Sequence, residues 1–423
     1  MKVFKFGGAS VKSAEAVRNV KSILDIYKDE KLIVVVSAMG KTTNALEEVV
    51  AYLYAEDTVK YDEQVEKVRN FHLEIMNSLF DSKNHPIFKE INTIFDNLKE
   101  VKKGRIAANF DFQYDQIVSI GELVSSKIIS AFLAGEKLSV CWRDARTFIR
   151  TNNRYRSAEI DWDKTQELID SEMKKYTFCQ ISVTQGFIGH TDEGFTTTLG
   201  REGSDFTAAI LAYCTNAESV TIWKDVPGML NADPKYFSST VKLDMISFKE
   251  AIELAYYGAS VIHPKTIQPL QNKNLPLYVK SFVNPLEEGT VIQSLTTHDD
   301  LVPSYIFKLN QVLLSLTSRD FSFVVEENLS DIFKKLAQVG VSINLMQNSA
   351  VSFTVCLDTD QQRLAKLLEL LQDDYIVQYN DHLELVTIRH YDQATIDKVT
   401  KGKTVLMEQK TRKTVRIVME NKS

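Results

Sequence analysis

Glycine is scarce in this chain, 16 of 423 residues, about half the usual share. Its clusters are therefore informative, and half of the glycines fall at Gly7, Gly8, Gly40, Gly186, Gly189, Gly200, Gly203 and Gly228. The four cysteines (Cys141, Cys179, Cys214, Cys356) are scattered and form no CxxC pair, which excludes a disulfide framework and a zinc site. They read as reduced thiols of a cytoplasmic protein. The seven histidines show no HExxH or comparable spacing, so no protein-held metal is expected. The longest strongly apolar run is Leu32 to Val36, far short of the roughly 20 residues that span a bilayer, and no membrane partner is expected. The segment Met1-Lys2-Val3-Phe4-Lys5-Phe6-Gly7 has no apolar h-region or cleavage site, so no signal peptide is expected. A basic surplus is also missing: Lys+Arg is 50 against 56 Asp+Glu, a net charge of −6, which speaks against a nucleic-acid partner.

What is present is ordinary globular composition, 44% hydrophobic and 25% charged, with length for two or three domains. The first 55 residues alternate strand, helix, strand, helix. Val3 to Phe6 is a short apolar strand, and Ser13 to Tyr27 has helical periodicity at Ala16, Val20, Ile23, Leu24 and Tyr27. Leu32 to Val36 is β-branched without alternation, the mark of a strand buried on both faces. Such alternation predicts an α/β fold with a mainly parallel central sheet. Residues 56 to 106 are helical in pattern and highly charged, and read as a helical hairpin or lid placed on the sheet. The α/β pattern resumes with a helix from Leu123 to Leu133, strands at Ser139–Trp142, Thr177–Thr184 and Val220–Trp223, and a helix at Asp205–Cys214. Seven of the eight prolines follow residue 226, so the second half is richer in turns. A polar linker is expected near 294 to 304. Beyond it the pattern is βαββαβ, the ferredoxin-like arrangement, followed by a second α+β unit that is truncated or completed by other strands. The predicted domains are thus 1–295 and 305–423.

Four segments carry candidate chemistry. In Lys5-Phe-Gly-Gly-Ala-Ser10 a lysine ends a strand beside two glycines, where backbone N–H groups and a following helix N-terminus can meet a phosphate. The same residues also suit an ordinary strand-to-helix turn. Ser37-Ala-Met-Gly-Lys-Thr-Thr43-Asn places hydroxyls at the carboxyl end of a buried parallel strand, where α/β sheets bind ligands. Helix capping by Thr42, Thr43 or Asn44 is an equal reading. Thr196-Thr-Thr-Leu-Gly-Arg201-Glu-Gly-Ser204-Asp205-Phe-Thr is the most specific, because Arg201 offers a planar fork for a carboxylate. In Ile222-Trp-Lys224-Asp225-Val-Pro-Gly-Met-Leu230-Asn-Ala-Asp233-Pro-Lys235 a strand ends in two charges before a Pro-Gly turn, or simply forms a loop of Asx turns. Glu122 is a carboxylate at a helix start, explained equally by the helix dipole.

These motifs, in this order, resemble the amino-acid kinase family and within it the aspartate kinases. The opening KFGGAS, the TLGREGSDFTAA block and the DVPG…ADP segment carry the resemblance over residues 1 to about 295. The C-terminal part is similar to the paired ACT regulatory domains of that family. The resemblance implies a three-layer α/β sandwich followed by α+β ferredoxin-like domains, cytoplasmic, and transfer of the ATP γ-phosphoryl to the β-carboxylate of L-aspartate. The product would be 4-phospho-L-aspartate, the first step toward lysine, threonine and methionine. It implies that Lys5, Gly7, Gly8 and Ser10 hold phosphates and that Asp205 orients Lys5 or helps bind substrate. Ser37, Thr43 and Ser204 would lie by the substrate, Arg201 on its α-carboxylate and Glu122 on its ammonium. Lys224, Asp225, Leu230, Asp233, Lys235 and Ser260 would form the nucleotide side, with Mg²⁺ carried mainly by the nucleotide. Ser260 stands where many relatives have a lysine, and Lys224 would compensate for it. Asn344, Asn348 and Ser349 align with an effector loop, and Asn344 and Ala350 replace acidic residues of lysine-inhibited relatives. Weak or absent lysine inhibition follows, with threonine or no effector in its place, and a homodimer. Two other readings remain: a kinase of another small acid such as acetylglutamate, and a non-catalytic amino-acid sensor.

Overall fold

A computed structural model describes residues 1–104, 109–175, 178–237, 239–259, 262–320 and 322–420. The chain divides into two compact units, one of Met1–Met229, Lys242–Ile252 and Val261–Thr296, the other of Leu230–Val241, Glu253–Ser260 and Thr297–Ser423. The second therefore takes up two segments, 230–241 and 253–260, that lie inside the predicted first domain.

In the first unit, strands β1 (Lys2–Phe6), β2 (Leu32–Val36), β3 (Val140–Arg143), β4 (Ile181–Gln185), β7 (Ser219–Lys224), β8 (Met245–Ser247), β9 (Leu277–Ser281) and β10 (Thr290–Gln293) form one sheet. Its order is β3-β4-β2-β1-β7-β9-β10-β8, parallel except for the β9–β10 pair. Strand β2 lies between β1 and β4 with all five residues buried, which is why its run Leu-Ile-Val-Val-Val shows no alternation. A small hairpin, β5 (Ile188–His190) with β6 (Thr196–Thr198), stands apart from the main sheet.

The helices are α1 (Ala14–Ile26), α2 (Thr42–Tyr54), α3 (Thr58–Leu79), α4 (Pro86–Glu100), α5 (Phe110–Val118), α6 (Ile120–Gly135), α7 (Trp162–Lys175), α8 (Gly203–Thr215), α9 (Phe248–Tyr257) and α10 (Pro264–Asn272). Helix α1 starts where Ser13 accepts the Ala16 N–H. Helices α3 and α4 are the expected hairpin. Their apolar faces (Tyr61, Val65, Val68; Ile91, Phe95, Leu98) join the same core as Phe4, Phe6 and Trp223 of the sheet. Tyr61 also donates its hydroxyl to the Leu98 carbonyl at 2.6 Å. The stretch Phe110–Gly135 is long and apolar enough to cross a bilayer by length and composition, and 78% of its most apolar window is buried inside the protein. It comprises α5 and α6, whose Ile117, Val118, Val124, Ile128 and Ile129 belong to the core.

The cysteine expectation is corrected in part. Cys141, on β3, and Cys179, just ahead of neighbouring β4, have Cα atoms 5.9 Å apart and are joined in a disulfide. The two lie 38 residues apart in sequence, so only the pairing of β3 with β4 brings them together. Cys214 and Cys356 are free and buried.

The second unit carries β11 (Ser304–Ser318), α11 (Glu326–Val339), β12 (Ser342–Asn348), β13 (Ser352–Asp358), α12 (Gln361–Leu371), β14 (Tyr375–Arg389), α13 (Gln393–Thr400), β15 (Val405–Lys410) and β16 (Thr414–Glu420). One antiparallel sheet results, ordered β12-β13-β11-β14-β16-β15. The second α+β repeat is not short of a strand. Ser304–Lys308, the first part of β11, pairs with Leu385–Arg389 of β14 and completes it. A register shift between Lys308 and Gln311 separates the two halves of these long strands. The expected linker is correspondingly shorter, because Ser304 already belongs to the sheet.

Candidate active site

The carboxyl ends of β1, β2 and β7 and the N-termini of α6 and α8 surround one cavity of about 470 Å³ in the first unit. Lys5, Ser37, Thr43, Glu122, Arg201, Ser204, Asp205 and Lys224 line it, together with Tyr114, Arg156, Phe187 and Glu202. Residues up to 219 apart in sequence meet here because parallel strands end on a common edge, where such sheets bind ligands.

Lys5, near the end of β1, is nearly buried, and its Nζ stands 2.6 Å from Oδ1 of Asp205. Asp205 lies in the first turn of α8, where the helix dipole favours its charge. Its Oδ2 is 3.9 Å from Nζ of Lys224, the last residue of β7. One carboxylate thus holds two ammonium groups at the mouth of the sheet.

Gly8 allows the first turn to close on the second. A Cβ there would lie 2.8 Å from the backbone oxygens of both Ala38 and Gly40. The turns are joined by Gly40 N–H to Gly8 C=O at 3.0 Å and Ser37 N–H to Phe6 C=O at 3.1 Å. Gly186 has a similar task, because a Cβ would collide with Ser204 and push the start of α8 away from β4.

Glu122, in the first turn of α6, is 3% exposed. Its Oε1 accepts one long bond from the Ala38 N–H (3.4 Å), and its Oε2 is buried with no partner among the described residues. Burial pushes its carboxyl up to about 8. A buried carboxyl with an open oxygen in a cavity is matched by an incoming cation.

The loop between β6 and α8 delivers Arg201. Gly200 (φ +78°) and Glu202 (φ +54°) both occupy the left-handed region, as do the lining residues Arg156 (φ +62°) and Phe187 (φ +70°). Strained backbone that persists at a cavity is a signature of functional sites. Asp115, fully buried on α5, ties these pieces together. It accepts the Thr198 N–H (2.8 Å), the Thr198 hydroxyl (2.7 Å) and the Arg156 N–H (3.0 and 3.1 Å).

Other predicted residues lie elsewhere. Ser10 is buried and its hydroxyl donates to the Trp223 carbonyl at 3.4 Å, because the 3₁₀ turn Gly8–Val11 points it inward, away from the cavity lining. Gly7 and Gly8 shape the turn without lining the cavity. Asp225 is exposed after β7. Leu230, Asp233 and Lys235 belong to the second unit, where Asp233 Oδ1 accepts the Lys235 N–H at 2.8 Å in an Asx turn. Ser260 lies outside the described residues. On β12, Asn344 accepts from Lys308 Nζ and donates to Gln311, both at 2.7 Å. Asn348 is exposed, and Ser349 closes a turn with Ser352.

Sequence reasoning missed Tyr114, Arg156, Phe187 and Glu202. Phe187 follows the flagged Gly186, and Glu202 sits inside the TLGREGSD block, so both had a signal. Tyr114 and Arg156 lie in segments without a motif, and only the fold brings them to the cavity.

Residues 1–281 match the model of the amino acid kinase family. The chain is 34% identical over 359 residues to the lysine-sensitive aspartokinase 3 of Escherichia coli, covering 84% of this chain and 78% of that protein. The solved structure of E. coli aspartokinase III with lysine and aspartate is similar across 99% of this chain and 95% of its own, at 30% identity and a TM-score of 0.83. The structure of that enzyme with aspartate and ADP gives 29% identity and a TM-score of 0.80, over 99% of this chain and 96% of its own. With its family match and its cavity of paired lysines, buried glutamate and arginine, the chain belongs to the amino acid kinase family, in its aspartokinase branch.

Proposed function

We propose that this chain is an ATP-dependent aspartate kinase that transfers the γ-phosphoryl of ATP to the β-carboxylate of L-aspartate, yielding 4-phospho-L-aspartate and ADP. The observation that carries the reading is the single cavity that joins the Lys5–Asp205–Lys224 cluster to Glu122 and Arg201. The nucleophile is a carboxylate with an ordinary pKa of roughly 4, already ionised at neutral pH, so the enzyme needs no general base. Its task is to bring two anions together and to neutralise charge on the phosphoryl as it moves.

Lys5 and Lys224 suit the phosphate oxygens, and Asp205 keeps both ammonium groups aimed at the same place. Arg201 would take the α-carboxylate in a bidentate grip. Glu122 would take the α-ammonium, which supplies the partner its Oε2 lacks. Among the described residues no group of three His, Cys, Asp or Glu side chains gathers to cage a metal. Mg²⁺ would be carried mainly on the nucleotide phosphates, as the resemblance implies, where it would neutralise developing charge. Asp225, Leu230, Asp233, Lys235 and Ser260 remain proposed for the nucleotide side on the strength of the motif alone.

The test is ADP release from Mg-ATP with L-aspartate, with hydroxylamine trapping the acyl phosphate. Aspartate-dependent hydroxamate formation is expected, and Lys5→Ala should reduce it by at least about 10²-fold. ATP binding without aspartate-dependent turnover would point to another small acid.

A further inference from the structure

Arg156 is an unexpected residue to find where it stands. Its φ of +62° places a long side chain in the left-handed region, which favours glycine. The surrounding structure holds it there. The Arg156 N–H is shared by both oxygens of buried Asp115, and the neighbouring Ala158 N–H donates to the Thr198 carbonyl at 2.9 Å. The result is that the turn packs directly on the loop bearing Arg201: a Cβ on Gly200 would lie 3.2 Å from the Arg156 carbonyl oxygen. Arg156 lines the cavity, and its guanidinium carbon is 4.5 Å from the centre of the Tyr114 ring. Its charge partner is Asp111 at 3.3 Å, and both members of that pair are about half exposed. Such a pair contributes little and gives up its arginine readily.

We infer that Arg156 is a second anion-binding guanidinium beside Arg201, a specificity-determining residue that favours dicarboxylate acceptors by binding one carboxylate of L-aspartate while Arg201 holds the other. The inference rests on the aspartate kinase reading above. Two adjacent planar forks can grip a doubly charged small acid that one fork would hold less selectively. The Tyr114 ring packs against the Arg156 guanidinium, and the Tyr114 hydroxyl is itself anchored to Glu47 at 2.6 Å.

Arg156→Gly is the direct test, because glycine adopts this φ without strain and the protein should remain folded. Steady-state kinetics with the full chain should show KM for aspartate raised by about tenfold or more, with KM for ATP within about twofold of wild type. Arg156→Lys should fall between the two, since it keeps the charge and loses the fork. Asp111→Asn removes the ion pair alone and should leave KM for aspartate within about twofold. A change in KM for aspartate under about threefold in folded Arg156→Gly, an equal rise in KM for ATP, or the same loss in Asp111→Asn would overturn the inference. An unmodified protein that does not turn over aspartate at all would instead overturn the reading it rests on.

Discussion

At the scale of single residues, Glu122 is the group whose charge state the fold controls most visibly. Its carboxyl is pushed up to about 8 by burial, which outweighs the backbone N–H donors of Ala38 and of Glu122 itself. In the unfolded chain the same group ionises near 4.5. The folded state therefore holds a proton that the unfolded state has lost between those two values. Glu122's contribution to stability is fully present below pH 4.5 and is lost as pH rises through about 8. Function runs the other way, because only the ionised carboxylate can take the substrate ammonium. The prediction is that kcat/KM for aspartate rises with pH and levels above about pH 8, and that Glu122→Gln abolishes this step. A profile with the same inflection in Glu122→Gln would assign the titration to another group. Glu122 was legible as a carboxylate at a helix start, but its open Oε2 was not, since solvent exclusion at a site is a property of packing.

At the scale of elements, the site is an arrangement of strand ends and helix starts, and glycine decides how close they come. The Gly8 turn is the clearest case, with two carbonyl oxygens at 2.8 Å from any Cβ placed there. Both are backbone atoms, and the two turns that carry them are joined by hydrogen bonds, so neither can swing aside as a side chain would. Gly8→Ala should shift the turn that follows Lys5 and lower kcat by about 10²-fold, the usual effect of a misplacement near 1 Å. Circular dichroism and Tm would show whether the fold is retained, and wild-type kcat in the variant would refute the assignment. The strand-glycine pattern was readable in advance because glycine is so rare here. The direction of Ser10 was not readable, because a single 3₁₀ turn determines whether this residue, two after Gly8, faces the cavity or the Trp223 carbonyl.

At the scale of the whole molecule, the second unit follows the first in the chain, and the resemblance implies an effector loop there in which Asn344 and Ala350 replace acidic residues. The Asn344 side chain is already committed to Lys308 and Gln311, and Lys308 lies 3.5 Å from Asp358. An incoming lysine ammonium would meet a resident cation and an amide in place of a carboxylate. The loss of one charge-assisted bond, about 1.5–3 kcal/mol, weakens a ligand by roughly 10- to 100-fold. We expect a homodimer, as the family resemblance implies, and we expect its activity to fall by less than about twofold in millimolar lysine. Sedimentation equilibrium and a lysine titration of initial rates check the two halves of that statement, and sub-millimolar inhibition would sink the second.

Local residue pattern determined the element types, the order of the two α+β repeats and most of the cavity residues. A buried strand must be apolar throughout, an inserted helical hairpin must show its own periodicity, and phosphate-facing turns need small residues beside cations. Tertiary structure alone decided the rest. The pairing of β3 with β4 joined Cys141 to Cys179, and the long β11 supplied the strand that the second repeat lacks in its own sequence. Asp115 brought Arg156 beside Arg201 through hydrogen bonds between segments 41 and 83 residues apart. Contacts at that separation leave no periodicity in a sequence, because they depend on where whole elements dock, not on which residues neighbour one another along the chain.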